Sequence, residues 1–163
     1  MCLRGAAGGF DALGVGMVPV GADLGVPQRI IFTASRNSLS AEPNYAHYVA
    51  AKHGLLGYMK ALAIELGPFE INVNAVCPTQ MVDKSRSPRS TSRPYWDRVV
   101  GHPDATYAEF DLKSGEENLF ERRGQLDFAD VAQAVLWLAS DASRAVTGVI
   151  LPVDHGWAVK HRG

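Results

Sequence analysis

The order of the apolar segments constrains this chain more than any other feature. Arg29–Ala34 (RIIFTA) is a short, β-branched run of the kind that forms a buried strand. From about Asn44 to Leu66, apolar residues including Tyr45, Val49, Leu55, Leu56, Met59, Leu62 and Leu66 recur at spacings near three and four, which predicts a helix. Gly67-Pro68 is expected to end it, with glycine beyond the last turn and proline after that. Ile71–Val76 (INVNAV) reads as a second buried strand. Phe128–Ser140 reads as an amphipathic helix with Asp127 or a neighbour as its cap, and Val149–Val153 as a last strand. Strand, helix, strand, helix, strand is the pattern of a parallel sheet covered by helices, so the fold class is α/β.

Two stretches lack this regularity. Residues 1–28 hold seven of the sixteen glycines and show no strand or helix period, so they are read as an irregular N-terminal segment. Residues 80–126 include the basic, serine-rich run Lys84 to Pro94, expected to be a loop. Tyr95, Trp96, Tyr107, Phe110, Leu119 and Phe120 then lie scattered among charges, which suggests short helices in a flap.

Composition narrows the function classes. A chain of 163 residues suits one domain with a real core. Sixteen basic against seventeen acidic residues leave a net charge of -1, which offers no electrostatic footprint for nucleic acid or an anionic membrane. No run of eighteen apolar residues occurs, so no transmembrane helix is expected, and Asp11 with several glycines interrupts any signal-peptide core. Cys2 and Cys77 cannot build a disulfide framework, and a reduced, cytoplasmic setting is the expectation. The histidines at 47, 53, 102, 155 and 161 have no metal-ligand spacing, so no metal site is expected.

The chemistry-bearing signal is Tyr48-Val49-Ala50-Ala51-Lys52. On a helix, residues four apart lie one above the other, about 6 Å along the axis. An ammonium beside a phenol favours the phenolate, which makes a tyrosine usable as an acid/base near neutral pH. Alone, such a pair is more often two residues of a solvated helix face. Its setting changes the weighting. Ser35 stands thirteen residues before Tyr48, at the C-terminal end of a predicted strand, where open α/β sheets place their ligands. Pro78 follows the next predicted strand, Asn72–Cys77, at the equivalent edge.

With that spacing, followed by NVNAVCP and by FADVAQAVLWLASDASRAVTGVILPVDHG, the chain resembles the short-chain dehydrogenase/reductase family throughout residues 29–157. The wording NYAHYVAAKHGLLGYMKALAIEL with INVNAVCPTQM is most similar to its mycofactocin-coupled subgroup, which includes carveol dehydrogenase-like enzymes. The resemblance implies the C-terminal part of a doubly wound, Rossmann-like parallel sheet of three layers, lacking the first βαβ units. It implies Ser35 to position a substrate carbonyl or hydroxyl and Tyr48 to act as general acid/base. Lys52 would bond the nicotinamide ribose and ease ionisation of the tyrosine. Pro78, Thr79 and Met81 would lie beside the nicotinamide, and residues 80–126 would form a substrate flap. The implied reaction interconverts an alcohol and a ketone by hydride transfer with NAD, NADP not being excluded. The helix at 44–66 would pair with its copy in a homo-oligomer.

The chain also departs from the family. No strand–TGxxxGxG–helix unit for the pyrophosphate is present: only four residues precede Gly5, and Gly14-Val15-Gly16 lacks a third glycine and a following helix. There is no NNAG segment and no asparagine before Asn37 to complete the proton relay. Ala34 replaces the first of a Ser-Ser pair, Arg36 follows the serine, and Asp83 stands where a threonine near the cofactor amide is usual. A catalytically inactive, truncated remnant that pairs with full-length relatives is therefore the alternative to an active enzyme. Among other candidates, Lys84, Arg86, Arg89 and Arg93 read as a solvated loop rather than an anion site. Cys77 reads as an inert buried thiol, Trp96 and Trp157 as candidate pocket walls, and Trp137 as core.

Overall fold

A computed structural model of the chain describes residues 28–81, 99–102, 106–121 and 124–161. Strands β1 (Arg29–Thr33), β2 (Asn72–Pro78) and β3 (Ile150–Val153) form a parallel sheet in that order. In register, Ile31 lies beside Asn74 and Val76 beside Leu151. Helix α1 (Ala46–Leu66) joins β1 to β2; α2 (Tyr107–Glu116) and α3 (Phe128–Ala139) lie between β2 and β3; a short α4 (Trp157–Lys160) follows. No helix among the described residues is long and apolar enough to cross a membrane.

The strand period of two sorts the core into two faces. Phe32, Val73, Ala75 and Cys77 point to one side and meet Leu55, Leu56, Met59, Leu62 and Leu66 of α1. Ile31, Val76, Leu151 and Val153 point to the other and meet Val131, Ala134, Val135 and Leu138 of α3. The three layers are thus in place. Because β1, β2 and β3 step in one direction while the two helices cover opposite faces, the two crossovers have opposite hands. One of them therefore departs from the usual right-handed rule. The connection from residue 79 to residue 127, far longer than a tight crossover, gives the chain room to change face.

The two asparagines of β2 explain why an otherwise apolar strand carries amides. Asn74 donates to the Val146 carbonyl at 2.9 Å and accepts from the Val149 amide at 3.0 Å. Asn72 donates to the carbonyls of Arg144 and Val146. Together they satisfy the backbone of the turn that leads into β3, where unpaired groups would cost about 1–3 kcal/mol each.

The helix after β1 begins at Ala46 rather than Asn44, without a side-chain cap, and Asn44 itself takes a left-handed φ of 68°. Its end differs from expectation. Gly67 remains right-handed at φ -54° and opens a 3-10 turn with Pro68; the left-handed residue is Glu70. Proline at the start of that turn needs no N–H, so it extends the helix end before stopping it. Asp127 caps α3 as expected, accepting from the Ala129 amide at 2.9 Å. Trp137 is not core. It is 42% exposed, because the stripe facing the sheet is Val131, Ala134, Val135 and Leu138. Cys77 is buried, as its place in an apolar strand implied.

Candidate active site

The C-terminal ends of β1 and β2 open into a cleft of about 450 Å³. Ser35, Tyr48, Lys52, Pro78, Thr79 and Met81 all line it. Each arrives by a different local device.

Ser35 leaves β1 in an extended conformation and caps a 3-10 turn over Arg36–Ser38. Its hydroxyl oxygen accepts from the Asn37 amide at 3.2 Å, and its own amide donates to the Ser38 hydroxyl at the same distance. This reciprocal box fixes the side chain while leaving the Ser35 O–H free to donate. Tyr48 and Lys52 come from the first turns of α1, one above the other. The Lys52 ammonium donates to the Thr33 carbonyl at 3.1 Å, so it ties α1 to the last residue of β1. It also stands 5.7 Å from the centre of the Tyr48 ring, a cation over an aromatic face. Partial burial lowers the Lys52 pKa from its ordinary 10.5, with the neighbouring Cys77 thiol acting weakly in the opposite sense. Tyr45 packs edge-on against Tyr48, with ring centres 6.3 Å apart.

The floor comes from the end of β2. Thr79 donates its amide to the Val153 carbonyl at 3.1 Å, which holds the β2–β3 rim closed after Pro78. Met81 pairs with Leu126 in an isolated parallel bridge, so the two ends of the long connection meet at the cleft. Phe128, half exposed at the start of α3, forms the facing lip.

The residue that sequence reasoning noted only as an oddity organises the wall. Arg36 is 5% exposed. Its guanidinium pairs with Glu42 at 2.6 Å and Glu117 at 3.4 Å, donates to the Thr79 hydroxyl at 3.2 Å, and lies 4.5 Å above the Trp157 ring. A buried cation demands such partners. Glu42, six residues on in the same turn-rich stretch, is the signal that could have found it. Trp157 consequently does not wall the cleft; it is buried beneath Arg36 and stacks on His161. Asn37, Glu42, Tyr45, Gln80 and Phe128 also line the cleft and carried no motif that marked them. Asp83, Trp96, the basic residues 84–93 and the glycine-rich segment before residue 28 lie outside the described residues.

Comparison with known proteins bears on the chain as a whole. Residues 24–158 match the family model described as enoyl-(acyl carrier protein) reductase. The chain is 34% identical over 134 residues to a (-)-trans-carveol dehydrogenase of Rhodococcus erythropolis, covering 80% of this chain and 46% of that protein. The crystal structure of a carveol dehydrogenase from Mycobacterium avium in complex with NAD superposes with a TM-score of 0.72 at 40% identity, over 82% of this chain and 47% of that one. An oxidoreductase of the short chain dehydrogenase/reductase family from Burkholderia thailandensis matches with a TM-score of 0.61 at 31% identity, over 80% of this chain and 45% of its own. The chain spans about half the length of the relatives it matches.

Proposed function

The chain belongs to the short-chain dehydrogenase/reductase family, and on that premise we propose that it is a nicotinamide-dependent oxidoreductase interconverting an alcohol and a ketone. The observation that carries this reading is the gathering of Ser35, Tyr48 and Lys52 on one cleft at the C-terminal rim of a parallel sheet. In the oxidative direction Ser35 holds the substrate oxygen by its free O–H, and the substrate O–H proton passes to the Tyr48 oxygen. Lys52, anchored to β1 with donors to spare, holds its ammonium over the Tyr48 ring and brings positive charge to the cleft. The chemistry that a bound nicotinamide dinucleotide would supply is acceptance of the hydride from the carbinol carbon, and its donation in the reverse direction.

The residues fit the nicotinamide-ribose end of such a cofactor. The Lys52 ammonium uses one donor on Thr33 and faces the cleft with others, while Pro78, Thr79 and Met81 offer a closed, largely apolar floor. NAD is the cofactor proposed, in keeping with the carveol dehydrogenase solved in complex with it. The substrate is a small alcohol or ketone, and the resemblance to the mycofactocin-coupled subgroup belongs to the same reading; most of the 80–98 part of the expected flap lies outside the described residues.

A second reading has its own support. Among the described residues β1 pairs on one side only, and Ile64, Leu136 and Trp137 are exposed apolar groups on two faces of the layer. Such surfaces suit an inactive chain that persists by pairing with full-length relatives. Calorimetric titration of the purified chain with NAD(H) and NADP(H) separates the two. Saturable binding supports the oxidoreductase; none at millimolar cofactor, with co-purification of a longer relative, supports the pairing partner.

A further inference from the structure

We propose that Arg36 is a positioning residue for the reaction: by tying the Ser35 turn to Thr79, it sets the group that holds the substrate oxygen against the floor that takes the nicotinamide. The inference rests on the oxidoreductase reading above and deepens it.

Its basis is where the Arg36 guanidinium reaches. Ala34 still belongs to the sheet, donating its amide to the Val76 carbonyl at 2.8 Å, and with Ser35 the chain leaves the sheet for the 3-10 turn. The Ser35 box is local to that turn, since its two hydrogen bonds run to Asn37 and Ser38. Leu39 packs the far end of the turn against the α1 core. Arg36 holds the near end. Its Nη1 donates to the Thr79 hydroxyl at 3.2 Å, joining the turn after β1 to the residue that follows β2. Its Nη2 pairs with one oxygen of Glu42 at 2.6 Å, while the other accepts from Asn37 Nδ2, so a single carboxylate clamps both residues after Ser35. Glu117, just past α2, and the Trp157 ring of α4 hold the same guanidinium from two further elements.

These contacts make Arg36 an alignment device rather than a ligand-binding cation. Its charge is already met by two carboxylates, and its side chain is buried among protein groups. The two segments it joins, at Ser35 and at Thr79, both line the cleft. Hydride transfer needs the carbinol carbon and the nicotinamide held in reacting geometry, and a displacement of about 1 Å can cost about 100-fold in rate. Lysine cannot replace the arginine here. It has one nitrogen on a flexible stem and lacks the planar fork that reaches Thr79 and Glu42 while lying over Trp157.

The test compares the full chain with its Arg36→Lys variant in steady-state oxidation of cyclohexanol by NAD, beside Leu138→Val as a stability control. Leu138 is fully buried against the sheet and lies about 15 Å along α3 from Phe128 at the cleft. Arg36→Lys is expected to lower kcat by about 10- to 100-fold with KM little changed. Leu138→Val is expected to melt earlier and keep its kcat. Glu117→Gln, at a residue that does not line the cleft, is expected to lower kcat several-fold in the same sense, and it decides the matter if Arg36→Lys fails to fold. Unchanged kcat in the folded variant overturns the proposal, as does a loss shared with Leu138→Val. So does a raised KM at unchanged kcat, which would make Arg36 a substrate contact. If the unaltered chain does not oxidise cyclohexanol, that failure belongs to the oxidoreductase reading, and amide exchange by NMR decides the positioning alone. The Ser35 and Asn37 amides are expected to exchange several-fold faster in Arg36→Lys while the Ala75 amide, bonded within the sheet, does not change. Exchange that is unaltered, or faster at all three, overturns it.

Discussion

In the proposed reaction Tyr48 and Lys52 carry the chemistry, and each is held by something else. Replacing Tyr48 by Phe removes the oxygen proposed to take the proton and leaves the ring against Tyr45 and Lys52. Turnover is expected to fall by roughly 10²–10⁴-fold with little change in thermal stability, as read by steady-state kinetics beside a melting curve. The lowered pKa of Lys52 has a sign that can be worked out. Desolvation disfavours its ammonium in the folded chain more than in the unfolded one, so the unfolded state holds the proton to higher pH. The cost is fully present below the folded-state pKa and is relieved as pH rises from there to 10.5. NMR of lysine labelled at the ε-carbon is expected to show Lys52 titrating below the other lysines, and any activity that needs its charge to decline with it. A midpoint at or above 10.5 would contradict the burial argument.

At the scale of elements, the site depends on contacts that bring distant segments under the Ser35 turn. Gly156 is one. It takes a φ of 82° at the start of α4, and a Cβ there would stand 2.6 Å from the Leu119 side chain. Gly156→Ala is therefore expected to lower stability by about 1–3 kcal/mol in urea unfolding. Arg36 is the other. Its guanidinium joins the Ser35 turn to Glu117 and to Trp157, so Arg36→Met removes the cation from two carboxylates in one step. A loss of about 3 kcal/mol is expected, measured the same way. Asp127→Ala, which only uncaps α3, should cost nearer 1 kcal/mol.

For the molecule as a whole, the exposed apolar groups among the described residues bear on its behaviour in solution. Ile64 on α1 is 79% exposed although the helix interior is firmly packed. A partner copy laid along the helix at 44–66 would cover it, as the family resemblance implies. Sedimentation is expected to show self-association of the chain, weakened by Ile64→Lys; a monomer at micromolar concentration would count against that pairing.

Much of this was legible in the sequence. Periodicity alone placed three strands and both long helices to within two residues, because burial imposes periods of two and 3.6 on any chain that forms them. The spacing of Ser35, Tyr48, Lys52 and Pro78 likewise marked one rim, since a parallel sheet puts every strand's C-terminal end on the same side. Local patterns failed where the deciding partner is far along the chain. The exposure of Trp137 and the oddity of Arg36 were settled by residues that only folding brings near. The opposite hands of the two crossovers belong with them, since no period along a strand records which face the next helix will cover. What the sequence by itself determined was the layered sheet and the candidate groups on its rim. What the tertiary structure decided was which polar atoms are paired and with what, because pairing is a property of neighbours in space.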